Sequence, residues 1–234
     1  MKTAYISLGP TCVTAEILKA SGLRTCTFGF DWLRSGSFYI EEFMRMELHC
    51  FVERYVANPC IPLRQIISTA INHAHPHTIE PSVIRPLFGY NYLYNPHKDL
   101  NDPLTVPYMK RAFSRLKNVI QDKSIIKRYI ITDYTNKHHA SHISNIPQVV
   151  NWFKALCTDN GLSGELYIVR ITLDPNKIYQ IEKNKECDLS GIKIYSISVK
   201  YWQDLDNKEC RTSAYRKLGR LIFGPVEASM IWRT

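Results

Sequence analysis

The chain has 234 residues, and its 30 Lys and Arg exceed its 21 Asp and Glu, which gives a net charge of +9. A hydrophobic fraction of 45% excludes wholesale disorder, and no apolar run approaches the ~20 residues that span a bilayer, which excludes a membrane span. We predict one globular domain over residues 1–234, and we expect it in the cytoplasm because its N-terminus lacks the apolar core of a secretory signal.

The first predicted elements are a strand, a turn and a helix. Apolar residues predict a strand over Ala4 to Leu8, and after Gly9-Pro10-Thr11 a helical pattern runs from Val13 to Gly22. An aromatic-rich connection then leads to a second predicted helix over Ser37 to Phe51 and a helical piece over Leu63 to Ile71.

Strands become more frequent in the second half of the chain. The predicted strands are Leu87 to Tyr94, Ile125 to Thr132, Glu165 to Leu173, Lys177 to Ile181 and Ile192 to Val199. The predicted helices are Val106 to Ile120, Pro147 to Asn160 and Thr212 to Ile222. Because helices dominate the first half and strands the second, we predict an α+β fold with an antiparallel or mixed sheet.

Positive charge is densest on the helix predicted over Val106 to Ile120. Lys110, Arg111, Arg115 and Lys117 lie on one face at helical spacing, and apolar residues lie on the other. This pattern is typical of an amphipathic helix with a solvated basic face. The alternative is a non-catalytic binding module in which this face binds nucleic acid or another anionic polymer.

A cysteine lies at the start of the first predicted helix. The helix dipole and the unpaired N–H groups of the first turn stabilise the thiolate of such a cysteine, which favours Cys12 as a nucleophile. Gly9 allows close approach of the backbone, and the first-turn amides can bind the oxyanion formed when sulfur attacks a carbonyl. The other interpretation is that Cys12 is a small buried apolar residue.

A cysteine nucleophile needs a histidine from elsewhere in the fold. Of the eight histidines, His97 is the best placed, because it lies in a turn just past an alternating strand. Asp133 ends the next predicted strand and is the candidate for orienting the imidazole. Asp99 and Asp102 are interpreted as turn or helix-cap residues.

Two groups of histidines have spacings that suggest a metal. They are His73, His75 and His77, and the pair His138 and His142. Neither group has acidic or cysteine partners in a recognisable pattern, and the seven cysteines contain no Cys-x-x-Cys pair. We therefore predict free thiols, no metal and no cofactor.

Two blocks of sequence resemble a bacterial and viral family of papain-like cysteine peptidases. The first consists of Ser7-Leu8-Gly9-x-x-Cys12-x-x-Ala15, Gly22-Leu23-Arg24 and Phe30-Asp31-Trp32. The second, Asn95-Pro96-His97 followed by Tyr108-x-x-Arg111-x-x-x-Arg115, is similar to the histidine block and arginine helix of that family. The resemblance implies a papain-like architecture, with the nucleophile helix packed on the sheet, a Cys nucleophile at Cys12 and a His at His97.

Four further residues are predicted to lie at the substrate: Ser7, Gly9, Asp31 and Trp32. Asp31 has a second interpretation as a buried anchor beneath the site, because its aromatic neighbours favour burial and a buried carboxylate needs partners.

The function predicted from the sequence is that of a cysteine hydrolase or acyltransferase. Cys12 attacks an amide or ester carbonyl of a peptide or other acyl substrate, and His97 takes up and returns the proton. A third possibility is a catalytically inactive relative that binds carbohydrate or peptide in the same cleft.

Overall fold

The protein is described here from a computed structural model, which defines residues 1–9, 12–31, 34–35, 43–44, 47–51, 93–94, 103–135, 146–159, 161–173, 180–183, 191–199, 208–225, 227 and 231. The strands are β1 (Lys2–Ser7), β2 (Arg34–Ser35), β3 (Leu93–Tyr94), β4 (Ile125–Thr135), β5 (Glu165–Leu173), β6 (Gln180–Lys183) and β7 (Ile192–Val199). The helices are α1 (Val13–Ala20), α2 (Leu48–Phe51), α3 (Thr105–Gln121), α4 (Ile146–Asp159) and α5 (Lys208–Phe223).

Within the described residues, the main sheet has five strands in the order β1-β4-β5-β7-β6. β1, β4, β5 and β7 run parallel to one another, and the short edge strand β6 runs antiparallel to β7. A separate antiparallel pair joins β2 to β3. Helices combine with a sheet as predicted, but the expectation of an antiparallel or mixed sheet is wrong for the four strands that form its body.

The parallel pairing agrees with the apolar side chains that these strands bury on both faces of the sheet. Ile168 of β5 belongs to one apolar cluster with side chains of α3 and α4, and its neighbour Val169 belongs to a second cluster with side chains of α1 and α5. Because side chains alternate across a strand, helices cover both faces of the sheet. Parallel strands require crossover connections of this kind, and α4 supplies the one between β4 and β5.

Helix α1 packs on the sheet as the resemblance implied. Its apolar residues Val13, Ile17 and Leu18 are buried in the same cluster as Ile130 of β4. The helix ends before Gly22, whose φ of +72° is a left-handed conformation that glycine adopts without strain.

Most predicted elements agree with the structure within a few residues. The strand expected over Lys177 to Ile181 is displaced to Gln180–Lys183. Of the predicted Ser37 to Phe51 helix the structure defines the turn Leu48–Phe51, and of the predicted Leu87 to Tyr94 strand it defines Leu93–Tyr94. Leu63 to Ile71 lies outside the described residues. In the described part of the chain, no helix is both long and apolar enough to cross a bilayer.

Candidate functional site

Cys12 lies where the chain passes from the first strand to the first helix. β1 ends at Ser7, and α1 begins at Val13 directly after Cys12, whose φ of −65° and ψ of −12° are already helical. The residue is partly buried. Its position therefore combines the carboxyl end of a parallel strand, where open sheets bind ligands, with the positive end of a helix dipole.

The turn between β1 and Cys12 depends on Gly9, whose φ of +83° is left-handed. The Gly9 N–H donates to Oγ of Ser7 over 3.4 Å, and the Gly9 carbonyl accepts the N–H of Thr132 over 3.4 Å. Ser7 is fully buried, so its hydroxyl serves the turn. The Gly9 amide is therefore engaged within the turn, whereas a helix leaves the amides of its first turn without an intrahelical partner.

Two threonines connect this turn to the sheet, and the sequence analysis missed both of them. Oγ1 of Thr14 lies 2.7 Å from Oγ1 of Thr132 and 3.5 Å from the carbonyl oxygen of Gly9. Both side chains are buried, although their neighbours in the core are apolar. The signal in the sequence is Thr14 itself, a polar residue on the face of α1 that Ala15 and Leu18 mark as buried.

Of the other two predicted catalytic residues, the structure describes the position of Asp133 but not that of His97. Asp133 follows Thr132 on β4, in register with Arg170 of β5. It therefore lies at the carboxyl end of β4, the neighbour of β1, at the same edge of the sheet as Cys12. His97 and Trp32 lie outside the described residues, so the meeting of Cys12 with His97 stays a prediction.

Asp31 is fully buried and is bound within its own loop. Its Oδ2 accepts hydrogen bonds from Nε of Arg24 over 2.7 Å and from the N–H of Phe28 over 2.9 Å. Burial raises the pKa of Asp31 to about 6, although the charge of Arg24 acts in the opposite direction. These contacts connect Asp31 to Arg24 and Phe28, so they make Asp31 a buried anchor of the loop that contains all three residues.

A second arginine joins the same loop to helix α3. Arg115 donates from Nε and Nη2 to the carbonyl oxygen of Thr27 over 3.0 and 2.8 Å, and Nη2 of Arg24 donates to Oγ1 of Thr27 over 2.6 Å. Burial raises the pKa of the nearby Cys26 thiol, and the charge of Arg115 offsets this only in part. Cys26 therefore lacks the thiolate character of a nucleophile.

The basic face of α3 is partly occupied by contacts within the protein. Arg115 binds Thr27, and Nζ of Lys117 lies 3.9 Å from Oε2 of Glu47, while Lys110 and Arg111 are exposed. A binding module for nucleic acid would thus rely on fewer cations than the sequence pattern indicated.

The structure offers no metal centre in the part that it describes. Among those residues, no three His, Cys, Asp or Glu side chains are grouped so that they could hold an ion. The five histidines with metal-like spacing, His73, His75, His77, His138 and His142, lie outside the described ranges.

Comparison with known families identifies a match over most of the chain. The family model described as "Putative papain-like cysteine peptidase (DUF1796)" matches residues 3–168, a range that contains Cys12, Asp31, His97 and Asp133. No curated protein and no solved structure matches the chain.

Proposed function

The chain belongs to this family of papain-like cysteine peptidases, and we propose that it is a cysteine-dependent hydrolase with Cys12 as its nucleophile. The observation that carries the proposal is the position of Cys12 at the start of α1, on the carboxyl edge of a parallel sheet. A thiol at this position is close to first-turn N–H groups that have no partner within the helix and that favour a thiolate.

Three other cysteines in the described part of the chain, Cys26, Cys50 and Cys157, are less suited to this role. Burial raises the pKa values of Cys26 and Cys157, which keeps both thiols protonated. Cys50 is exposed on the short helix α2. Of these four positions, only that of Cys12 combines a helix N-terminus with the carboxyl edge of the sheet. Cys210 lies in the first turn of α5, but it is outside residues 3–168, which the family model matches.

In the proposed reaction, the Cys12 thiol gives its proton to His97, and the sulfur attacks the carbonyl carbon of an amide or ester. The first-turn amides of α1 stabilise the resulting oxyanion. When the oxyanion collapses, the bond to the leaving group breaks, and His97 protonates the departing amine or alcohol. Asp133 orients the imidazole in this scheme.

The acyl group then rests on sulfur as a thioester. In hydrolysis, His97 removes a proton from water as the water oxygen attacks the thioester carbon. The C–S bond then breaks and releases the carboxylic acid, and His97 returns the proton to the Cys12 sulfur. An acyltransferase uses the same steps with an amine or alcohol in place of water. A product assay with and without an added amine acceptor distinguishes the two reactions.

The proposal is tested with a thiol-directed acylating probe. We expect the wild type to be acylated at Cys12, and Cys12→Ala and His97→Ala each to abolish this labelling while the far-UV circular dichroism is unchanged. Cys157→Ala is the matched control, because Cys157 packs against the core on α4, and we expect it to be labelled as the wild type is. Equal labelling of the Cys12→Ala protein would refute the assignment of the nucleophile.

A further inference from the structure

We propose that Thr14 and Thr132 are positioning residues that hold the start of helix α1 at one place on strand β4, and with it the Cys12 thiol. This inference rests on the proposed role of Cys12 as the nucleophile. Both threonines act through the backbone that flanks Cys12, so they are positioning residues and not catalytic ones.

The geometry around Cys12 joins three parts of the chain. The Thr14 hydroxyl on α1 lies 2.7 Å from the Thr132 hydroxyl on β4 and 3.5 Å from the Gly9 carbonyl oxygen. The Thr132 N–H donates to the same carbonyl over 3.4 Å. Gly9 precedes Cys12 and Thr14 follows it, so the backbone on both sides of Cys12 is attached to β4.

Packing alone does not explain why hydroxyl groups occupy these two positions. Thr14 and Thr132 are 1% and 0% exposed, and valine has nearly the same shape. A buried pair of hydroxyls adds little net stability, because each gives up hydrogen bonds to water. What the pair does supply is a fixed position and rotation of helix α1 relative to strand β4. A hydrogen bond is lost when the helix slides or rotates, whereas an apolar contact tolerates small shifts.

The position of this hydrogen bond connects the two elements that carry proposed active-site residues. Cys12 lies two positions before Thr14, and Asp133 lies one position after Thr132. The bond therefore sets the separation between the start of α1 and the end of β4, and it also sets where the first-turn amides of α1 point. A displacement of about 1 Å in such a site can cost a hundredfold in rate.

The test is the double variant Thr14→Val/Thr132→Val, in which both hydroxyls are removed together and no buried partner is left unsatisfied. Alkylation by iodoacetamide is followed over a pH series at each cysteine, with peptide-resolved mass spectrometry. We expect Cys12 to react about tenfold more slowly than in the wild type at neutral pH, with its titration midpoint moved upward. We expect the midpoint of thermal unfolding and the alkylation rate of Cys157 to change little.

Serine variants separate positioning from packing. Thr14→Ser and Thr132→Ser keep the hydroxyl and lose only a methyl group, so we expect Cys12 to be alkylated at nearly the wild-type rate. Should the double valine variant fail to fold, the pair Thr132→Ser and Thr132→Ala gives the same comparison. A serine variant that is as slow as its hydroxyl-free counterpart would overturn the proposal.

The experiment also distinguishes this inference from the proposed function. Wild-type Cys12 that titrates as an ordinary thiol, near a pKa of ~8.5, would refute the nucleophile and the positioning role together. Fast alkylation of Cys12 in both the wild type and the double valine variant would refute the positioning role alone.

Discussion

Asp31 and Glu165 both bind basic side chains at short distance, yet their surroundings shift their pKa values in opposite directions. Oδ2 of Asp31 lies 2.7 Å from Nε of Arg24, and the Asp31 side chain is 0% exposed. The two oxygens of Glu165 lie 3.0 Å from Nζ of Lys193 and 3.0 Å from Nε of Arg128, and the Glu165 side chain is 29% exposed. Burial raises the pKa of both carboxyls, but the net shift is upward only at Asp31.

The difference lies in how deeply each carboxylate is buried and in how many donors it receives. At Glu165, hydrogen bonds from Lys193 and Tyr167, with the charges of Lys193 and Arg128, outweigh the effect of burial and lower the pKa. Oδ1 of Asp31 is buried and has no hydrogen-bond partner among the residues that the structure describes. The Arg24 pair, the Phe28 N–H and the charge of Arg115 together therefore do not compensate the burial of Asp31, whereas two cations and a tyrosine compensate that of Glu165, which water still reaches.

Asp31→Ala should have the largest effect, because it removes the carboxylate and leaves the Arg24 charge, which is 9% exposed, in the protein interior. We expect a loss of about 3–5 kcal/mol in the free energy of unfolding, which is the usual cost of removing one partner of a buried ion pair. Urea denaturation measures this loss.

The double variant Asp31→Ala/Arg24→Met is the control for this substitution. It removes both charges, and we expect it to recover a large part of the lost stability. A loss below about 1 kcal/mol in the single variant, the range of surface pairs, would show that Asp31 is not the buried anchor of its loop.

The second-largest expected effect is the dependence of the unfolding free energy on pH that Asp31 causes. The pKa of Asp31 is about 6 in the folded protein, above its ordinary value of 3.8, so the folded state binds this proton more tightly. Relative to Asp31→Asn, the unfolding free energy of the wild type should fall as the pH rises from about 4 to about 6, by about 3 kcal/mol in total. Denaturation curves over a pH series measure this difference, and an NMR titration midpoint of the Asp31 carboxyl carbon below 4 would contradict it.

Local patterns in the sequence were sufficient to predict most of the individual elements. β5 and β7 have the predicted bounds, Glu165–Leu173 and Ile192–Val199, and α1 begins at the predicted Val13. The position of Cys12 was predicted for the same reason, because a strand, a glycine turn and a helix start all lie within a few residues. Such signals depend only on neighbours in the chain.

The direction of strand pairing was predicted wrongly although a signal for it exists. Residues 166–169 are consecutively apolar, which is typical of strands buried on both faces and hence of parallel sheets. The partner of Thr14 could not be predicted in this way, because Thr132 is 118 positions away and becomes its neighbour only through the parallel pairing of β1 with β4. The network of Arg24, Asp31 and Arg115 likewise depends on how α3 packs against the loop.

Glu165→Gln should have the smallest effect and should show the opposite dependence on pH. The pKa of Glu165 is lowered below its ordinary value of 4.5, so its contribution to stability is present above that pH and is lost as the pH falls through the folded-state pKa. Because water reaches this cluster, we expect a loss of only about 1 kcal/mol at neutral pH, reduced further in 1 M salt. The same denaturation series that tests Asp31 measures it. If the Glu165→Gln difference curve below about pH 4.5 sloped in the same direction as the Asp31→Asn difference curve between about pH 4 and 6, burial and donor number would not explain how the two sites differ.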